Sequence, residues 1–325
     1  MSETMTYAAA FQRAMADEME RDETIFVLGT DLYVRGGHFA QVKGLGERFG
    51  RARVRDTPIS EAAMVAAGVG SAMHGMRPVV DLNFADFAMG AMDEIVNQAA
   101  KMRYMFGAKV PLVIRGSSGV GLFAAQHTNS VESWFAATPG LVVATPATPA
   151  DAGGLLVQAL RGDDPVIFLM HKRLSSVRGE VDVPIQPIPF GQARIAREGS
   201  DVTLISYSFT VRQALDAAEA VADDGISVEV VDLRTVAPLD RDTINESVRK
   251  TGRVVLLSDA PTVGSVLSEV AAGIQEAVLD YLDAPIVRLG GRHAPIPHSP
   301  PLFEALVPSL DGVSDALRDI VGVTV

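Results

Sequence analysis

RVRDTPISEAAMVAAGVGSAMHGMRPVVDLNF (Arg53–Phe84) decides how the rest of the chain is read. Glu61 follows Ile59-Ser60, and after it come thirteen residues, Ala62 to His74, without another carboxylate, lysine or arginine. Thr57 or Ser60 can cap a helix, and Pro58 suits its first turn. Small residues at Ala62, Ala63, Ala66, Ala67, Gly68, Gly70, Ser71 and Ala72 suit a helix packed closely on several sides. On local signals Glu61 is a favourable charge at the positive end of that helix, worth at most about 1 kcal/mol. The small residues add a second reading, in which the first turn carries the carboxylate into a poorly solvated place. A charge there needs a partner, or the group keeps its proton. A carboxyl so placed can exchange a proton or a hydrogen bond with a heterocyclic nitrogen. After the helix, PVVDLNF is a short apolar run, the mark of a buried strand.

The same alternation extends in both directions. Towards the start, an amphipathic pattern over Tyr7–Arg21 precedes the apolar run IFVLG. Towards the end, a helical pattern over Phe87–Met105 breaks at Gly107 and leads to PLVIRG. A glycine-rich loop, GSSGVGLFAAQH, leads on to GLVVATP, a helix over Ala150–Arg161 and PVIFLM. Apolar runs bounded by Gly and Pro and separated by helices indicate parallel strands covered on both faces. The segment His171–Arg194, with three prolines in VPIQPIP, reads as a linker. Beyond it DVTLISYS, SVEVVDLR, RVVLLSD and PIVRLGG alternate with helices over Val211–Asp223, Arg241–Lys250 and Gly264–Leu282. The expectation is an α/β protein of two doubly wound domains, 1–190 and 191–325, each with its own sheet.

The chain has 325 residues, 48% apolar and 21% charged, with a net charge of −12 and no cysteine. The acidic balance argues against nucleic acid or an anionic membrane as partner. Without cysteine there is no disulfide, thiolate–zinc site or cysteine nucleophile. No apolar run approaches the roughly 20 residues that span a bilayer. The opening MSETMTYAAAFQRAMADEMERDETIFVLG has a charged helical pattern unlike a signal peptide. The expected location is the cytoplasm.

Other candidates carry weaker signals. GLGERFG and SSGVG match neither a P-loop nor a dinucleotide fingerprint and read as turns. His127, in FAAQHTNS, follows the strand PLVIRG on the carboxyl side, where α/β proteins place ligands; on local signals alone an isolated histidine is more often structural or merely exposed. Phe84 and Phe87 read first as core. His293 and His298 lie in a proline-rich turn and are given no chemistry. No GDG followed by a downstream Asn occurs, the pattern resembling a magnesium–diphosphate site of thiamine enzymes.

The residues DTPISEAAMVAAGVGSAMHGMRPVVDLNFADFAMGAMDEIVNQAAKMRYMFG, PLVIRG, AAQH and PGLVVATPATPADAGGLL closely resemble the β subunit of the decarboxylase component of 2-oxo acid dehydrogenase complexes. IPFGQARIAREGSDVTLISYS and VEVVDLRTVAPLDRDTI resemble its C-terminal domain, so the likeness covers nearly the whole chain. KMRYMFG, PVIF followed by HK, and GEVDVPIQPIPFG lean towards the acetoin dehydrogenase branch. The resemblance implies an N-terminal pyrimidine-binding thiamine diphosphate fold and a C-terminal transketolase-type domain. It implies that Glu61 contacts N1′ of the cofactor's aminopyrimidine and, in its acid form, favours the tautomer that activates the thiazolium. Phe87 would stack on that ring, with Asn83 and Gly90 at neighbouring wall positions. His127 matches a histidine associated with proton handling and acyl transfer to a lipoyl arm. An α subunit would hold the diphosphate and Mg2+, so that this chain carries no metal site and works only in an α2β2 heterotetramer serving a lipoyl acyltransferase. The apolar and small-residue stretches Gly68–Met76 and Met89–Met105 would serve such interfaces.

Three departures stand out. Thr30 replaces the usual family acid in Gly29-Thr30-Asp31, Gly90 replaces a larger residue, and Asp259 and Ser265 replace a Glu and a glycine-rich variant. The Thr30 change bears on the proton relay and on the substrate. A split transketolase-like ketol transferase and a non-catalytic scaffolding paralogue are the alternatives. Scattered arginines disfavour the first, and retention of Glu61 and His127 disfavours the second. The acyl donor, the docking acyltransferase and a monovalent cation site are not specified by the sequence.

Overall fold

The structure, a computed structural model, describes residues 1–121 and 123–322. It forms two compact units, Met1–Ser118 with Trp134–Phe190, and Gly119–Ser133 with Gly191–Val325. Among the described residues no helix is long and apolar enough to cross a membrane.

In the first unit β2 (Ile25–Gly29), β3 (Val54–Asp56), β4 (Arg77–Phe84), β5 (Val113–Ser118), β6 (Val142–Ala144) and β7 (Val166–His171) lie in the order β6-β7-β5-β4-β2-β3. Every pairing among them is parallel. The fully apolar strands follow from cover on both faces. Two polar strands, β1 (Ser2–Thr6) and β8 (Arg178–Asp182), pair antiparallel at the surface. Both were unexpected, since β1 falls in the charged helical start and β8 in the proline-rich linker. Neither has an apolar face to announce it.

The helix Glu61–Met73 packs on β4 and on the segment that follows it, burying Met64, Val65, Gly68, Val69 and Ala72. Its other face, with Ala63, Ala66, Ala67, Gly70 and Met73, is exposed. Close packing on several sides is therefore not met within the chain: spacings of three and four gather the buried residues into one stripe. Gly68 lets this stripe approach the sheet, because a Cβ there would lie 2.7 Å from Val80 Cγ2 and 3.0 Å from Leu112 Cδ1. A Cβ on Gly70 would meet nothing within 4 Å. Gly68→Ala is expected to cost about 1–3 kcal/mol through overpacking. Gly70→Ala is expected to gain up to about 1 kcal/mol through helix propensity. Urea midpoints of the two variants check the contrast.

The helix expected over Phe87–Met105 is broken. A 3-10 segment (Ala85–Ala91), a π turn (Glu94–Ala99) and a short α-helix (Met102–Phe106) take its place. Gly90, inside the first of these, weakens a regular helix there.

The helix Tyr7–Arg21 begins where Thr6 Oγ1 accepts from Ala9 N and packs against Pro149–Arg161, which opens with a Thr148–Asp151 capping box. Glu18, buried between them, accepts from Arg161 at 2.6 Å and from Arg21 at 2.7 Å. Burial pushes its carboxyl up, but the hydrogen bonds and charges of the two arginines outweigh this and hold it below the ordinary range. A carboxyl lowered on folding contributes stability that is fully present above its unfolded value, near 4.5, and is lost as pH falls through its lower folded value. Glu18→Gln is expected to lower stability at neutral pH and to flatten the acid limb of a stability–pH curve. Thermal melts between pH 7 and pH 3 read both effects.

The second unit holds β9 (Arg194–Arg197), β10 (Val202–Ser206), β11 (Val228–Asp232), the short β12 (Thr235–Ala237), β13 (Val254–Pro261) and β14 (Val287–Gly291). Its sheet runs β14-β13-β10-β11-β9, with only β9 antiparallel. Val202 and Leu204 join a core with the helices Thr210–Ala220 and Leu310–Gly322. Thr203, pointing the other way, bonds Ser247 and Thr251 of the helix Arg241–Thr251 at 2.7 Å each. Alternate residues of one strand thus face helices on opposite sides, which is the doubly wound arrangement.

Candidate active site

The chain passes from β2 outward to β3 and then back across β2 to β4. Strand order reverses between β2 and β4, and the crevice outside their carboxyl ends is where such sheets bind ligands. Thr30 follows β2 here, Thr57 follows β3, and Asn83 and Phe84 end β4. Thr57 N donates to Gly29 O at 2.9 Å, which ties the start of the next segment to the crevice.

Asn83 has a positive φ of 59°, a conformation that asparagine tolerates better than most residues. Its N–H donates to Asp81 Oδ1 at 2.8 Å, and its Oδ1 accepts from His38 N at 3.2 Å. Asp81 is itself held from two sides. Arg115 Nη1 donates to Asp81 Oδ1 at 3.1 Å, and Gln41 Nε2 donates to Asp81 Oδ2 at 2.7 Å. Arg115 Nη2 also donates to Ser117 Oγ at 2.9 Å. Asp81, Arg115 and Gln41 are all buried, so the turn at Asn83 stands on a dry, hydrogen-bonded ion pair.

An aromatic wall continues from this turn. The Phe84 ring lies 5.1 Å from His38, 5.4 Å from Phe39 and 6.3 Å from Phe87, the last edge-on at 84°. Phe87 is 39% exposed, so it is not the core residue that local signals suggested. Gly90 is exposed, and a Cβ there would meet nothing within 4 Å.

Glu61 is the first residue of its helix and is half-buried, less sheltered than expected. Its side chain makes no hydrogen bond or ion pair among the described residues. The hydroxyl of Ser60, at the N-cap, makes no capping bond. Thr57 Oγ1 is buried and has no hydrogen-bond partner among the described residues. A buried orphan hydroxyl is uncommon and asks for an explanation. The helix that Glu61 begins packs on the 3-10 segment of Phe87 and Gly90, and Glu61, Asn83, Phe87 and Gly90 all belong to the first unit.

His127 belongs to the segment that groups with the second unit. It closes the 3-10 turn Ala125–His127 and is half-buried. Ala124, ahead of that turn, adopts φ 61° and ψ 170°, a region almost reserved for glycine. Its carbonyl accepts from His127 N at 3.2 Å and from Thr128 Oγ1 at 2.9 Å.

Residues 3–177 match the family described as transketolase, pyrimidine binding domain, and residues 191–313 match transketolase, C-terminal domain. The chain is 46% identical over 321 residues to the 2-oxoisovalerate dehydrogenase subunit beta of Bacillus subtilis, covering 97% of this chain and 98% of that protein. It is 42% identical to the pyruvate dehydrogenase E1 component subunit beta of Rickettsia felis, with coverage of 97% and 98%. It is 41% identical to the acetoin:2,6-dichlorophenolindophenol oxidoreductase subunit beta of Cupriavidus necator, covering 98% of each.

The chain belongs to the family of 2-oxo acid and acetoin dehydrogenase β subunits.

Among solved structures this β-subunit chain is similar to a split gene transketolase, an inactive beta4 tetramer, with a TM-score of 0.82 and 24% identity over 99% of both chains. That likeness is one of fold. Sequence reasoning missed several residues around the crevice of this β subunit. His38 and Phe39 lie in a loop without periodicity, and Asp81 and Arg115 were read only as parts of strands. Their signal was available, since each is the lone charge inside an apolar run, PVVDLNF and PLVIRG. The partners of a buried charge, by contrast, are set by the sheet.

Proposed function

We propose that this chain is the β subunit of a thiamine diphosphate-dependent 2-oxo acid or acetoin dehydrogenase, active with an α subunit in an α2β2 heterotetramer. It acts in cleaving a C–C bond beside a carbonyl and in passing the acyl group to the lipoyl domain of an acyltransferase. The observation that carries this reading is the 46% identity to a dehydrogenase β subunit over nearly the whole chain, with Asn83 ending β4 at the switch point of the sheet. The residues present fit an aminopyrimidine. Glu61 has a carboxyl uncommitted to the fold, Phe87 offers exposed ring, and the orphan Thr57 hydroxyl lies at the carboxyl end of β3.

Bound thiamine diphosphate supplies the electron sink for breaking a bond next to a carbonyl. The chain's own residues position it and handle protons. Glu61 holds a hydrogen bond and a proton at the ring nitrogen, Phe87 provides the stacking surface, and Asn83 and Gly90 form the adjoining wall. His127 handles a proton during acyl transfer. The diphosphate and Mg2+ fall to the α subunit, in keeping with the lack of a GDG pattern in this sequence. Residues 1–190 carry the pyrimidine-binding domain and 191–325 the transketolase C-terminal-type domain, with Gly119–Ser133 grouping with the latter, in the cytoplasm. Exposed Met73, Met89, Tyr104 and Phe106 and the bare small-residue face of Glu61–Met73 suit burial against neighbouring subunits.

Co-expression with an α subunit tests the reading. Oxidation of pyruvate, branched 2-oxo acids and acetoin is followed with an artificial electron acceptor. Turnover that requires the α subunit, thiamine diphosphate and Mg2+ is expected on at least one of them. An assembled heterotetramer silent on all three defeats the proposal.

A further inference from the structure

The loop that carries His127 is fastened at its two ends to one side chain. Gly119 N donates to Asn129 O at 3.1 Å and closes the neck of the loop. Just inside that neck, Val120 N donates to Asp259 Oδ2 at 3.2 Å. Just outside it, Ser130 Oγ donates to Asp259 Oδ1 at 2.9 Å. Asp259 lies in β13, within the sheet of the second unit, and is buried. One carboxylate therefore uses both oxygens to grip both strands of the neck, in hydrogen bonds strengthened by its charge. Val120 adds an apolar anchor by packing with Ile296 and Phe303. Between the gripped ends stands Ala124, whose strained backbone persists only where the surroundings over-determine it.

We propose that Asp259 is a positioning residue for His127, holding Val120 and Ser130 at the neck of its loop so that the strained turn at Ala124 presents the imidazole. This rests on the role given to His127 above. The floor of the clamp is proton-rich as well. Tyr207 is fully buried; burial first, and then the charges of Glu132 and Asp259, push its phenol well above its ordinary value, so it keeps its proton.

The test uses Asp259→Ala, Ser130→Ala, His127→Ala and the Asp259→Ala/His127→Ala double variant. Amide hydrogen exchange on the full chain should show residues 119–130 of Asp259→Ala exchanging at least tenfold faster, with β10 and β13 unchanged. Ser130→Ala removes one of the two bonds, leaves the core intact and should show a smaller shift of the same kind. In the complex with the α subunit, acyl transfer to a lipoyl domain should fall roughly 10- to 100-fold in Asp259→Ala, as expected for a misplaced group. Turnover with the artificial acceptor should fall less, and the double variant should be no slower than His127→Ala. Unchanged exchange in the loop, or losses that multiply in the double variant, overturn the clamp. Full acyl transfer by His127→Ala instead overturns the role of His127, and with it the catalytic meaning of Asp259. An impaired His127→Ala beside an unimpaired Asp259→Ala overturns the positioning role alone.

Discussion

Glu61→Gln is expected to lower the turnover of the α-complexed protein by about two to four orders of magnitude, the usual worth of a positioned acid–base group. Its stability and assembly should barely change. The reason lies in how little Glu61 does for the fold. It begins a helix, and its side chain has no hydrogen bond or ion pair among the described residues. Removing the charge forfeits only a helix-dipole term of at most about 1 kcal/mol. Glutamine keeps the shape and can still face a ring nitrogen, but it cannot give and retake a proton. Size-exclusion profiles with the α subunit, melting curves and turnover, measured together, separate the two effects. A variant that assembles and remains fully active would remove Glu61 from the mechanism.

The second large effect is on stability. Asp81 and Arg115 form an ion pair whose side chains are each 2% exposed. Cutting one partner away leaves the other charged, dry and unpaired, which typically costs 3–5 kcal/mol. Arg115→Met or Asp81→Ala is therefore expected to lower the melting temperature by roughly 10 °C. The loss should reach the crevice too. Asp81 accepts the Asn83 N–H, so its removal frees the left-handed turn that presents Asn83. The double replacement Asp81→Leu/Arg115→Met should recover much of the stability, because a buried pair exchanged for apolar groups is often neutral or better. It should not recover the geometry of Asn83. Differential scanning calorimetry of the three variants, with cofactor-dependent turnover alongside, distinguishes the two roles.

Much of this architecture could be read from residue order. Runs such as IFVLG and PVIFLM are apolar throughout and RVVLLSD has an apolar centre, so each strand announced itself. Tyr7–Arg21 could be read to the residue because its buried positions recur at helical spacing. What escaped had no such signature. β3 has a single buried apolar residue, Val54, flanked by charges. β1 and β8 are polar and lie at the surface, where no core imposes alternation. The exposed face of Glu61–Met73 was misjudged because alanine and glycine suit tight packing and solvent alike; only the placement of Val65, Gly68 and Ala72 over the sheet shows which side is which. At the crevice, Glu61, Phe87, Asn83 and Gly90 were named through a family likeness. Local signals alone had left Glu61 as a helix charge and Phe87 as core. The network beneath them joins residues far apart in the chain, and no local pattern records such a pairing.

The seating of the segment Gly119–Ser133 also bears on how the molecule is made. The polypeptide leaves the first unit after Ser118, returns at Trp134 and departs finally after Phe190, so no single cut yields two whole pieces. During synthesis Val120 and Ser130 emerge long before Asp259. The early stretch has to wait, unanchored, until the later half of the chain arrives to receive it. Trimming the protein at the boundary suggested by its sequence would leave the trailing piece with a carboxylate and a phenol uncovered, and the leading piece with a strand of backbone that has nowhere to rest.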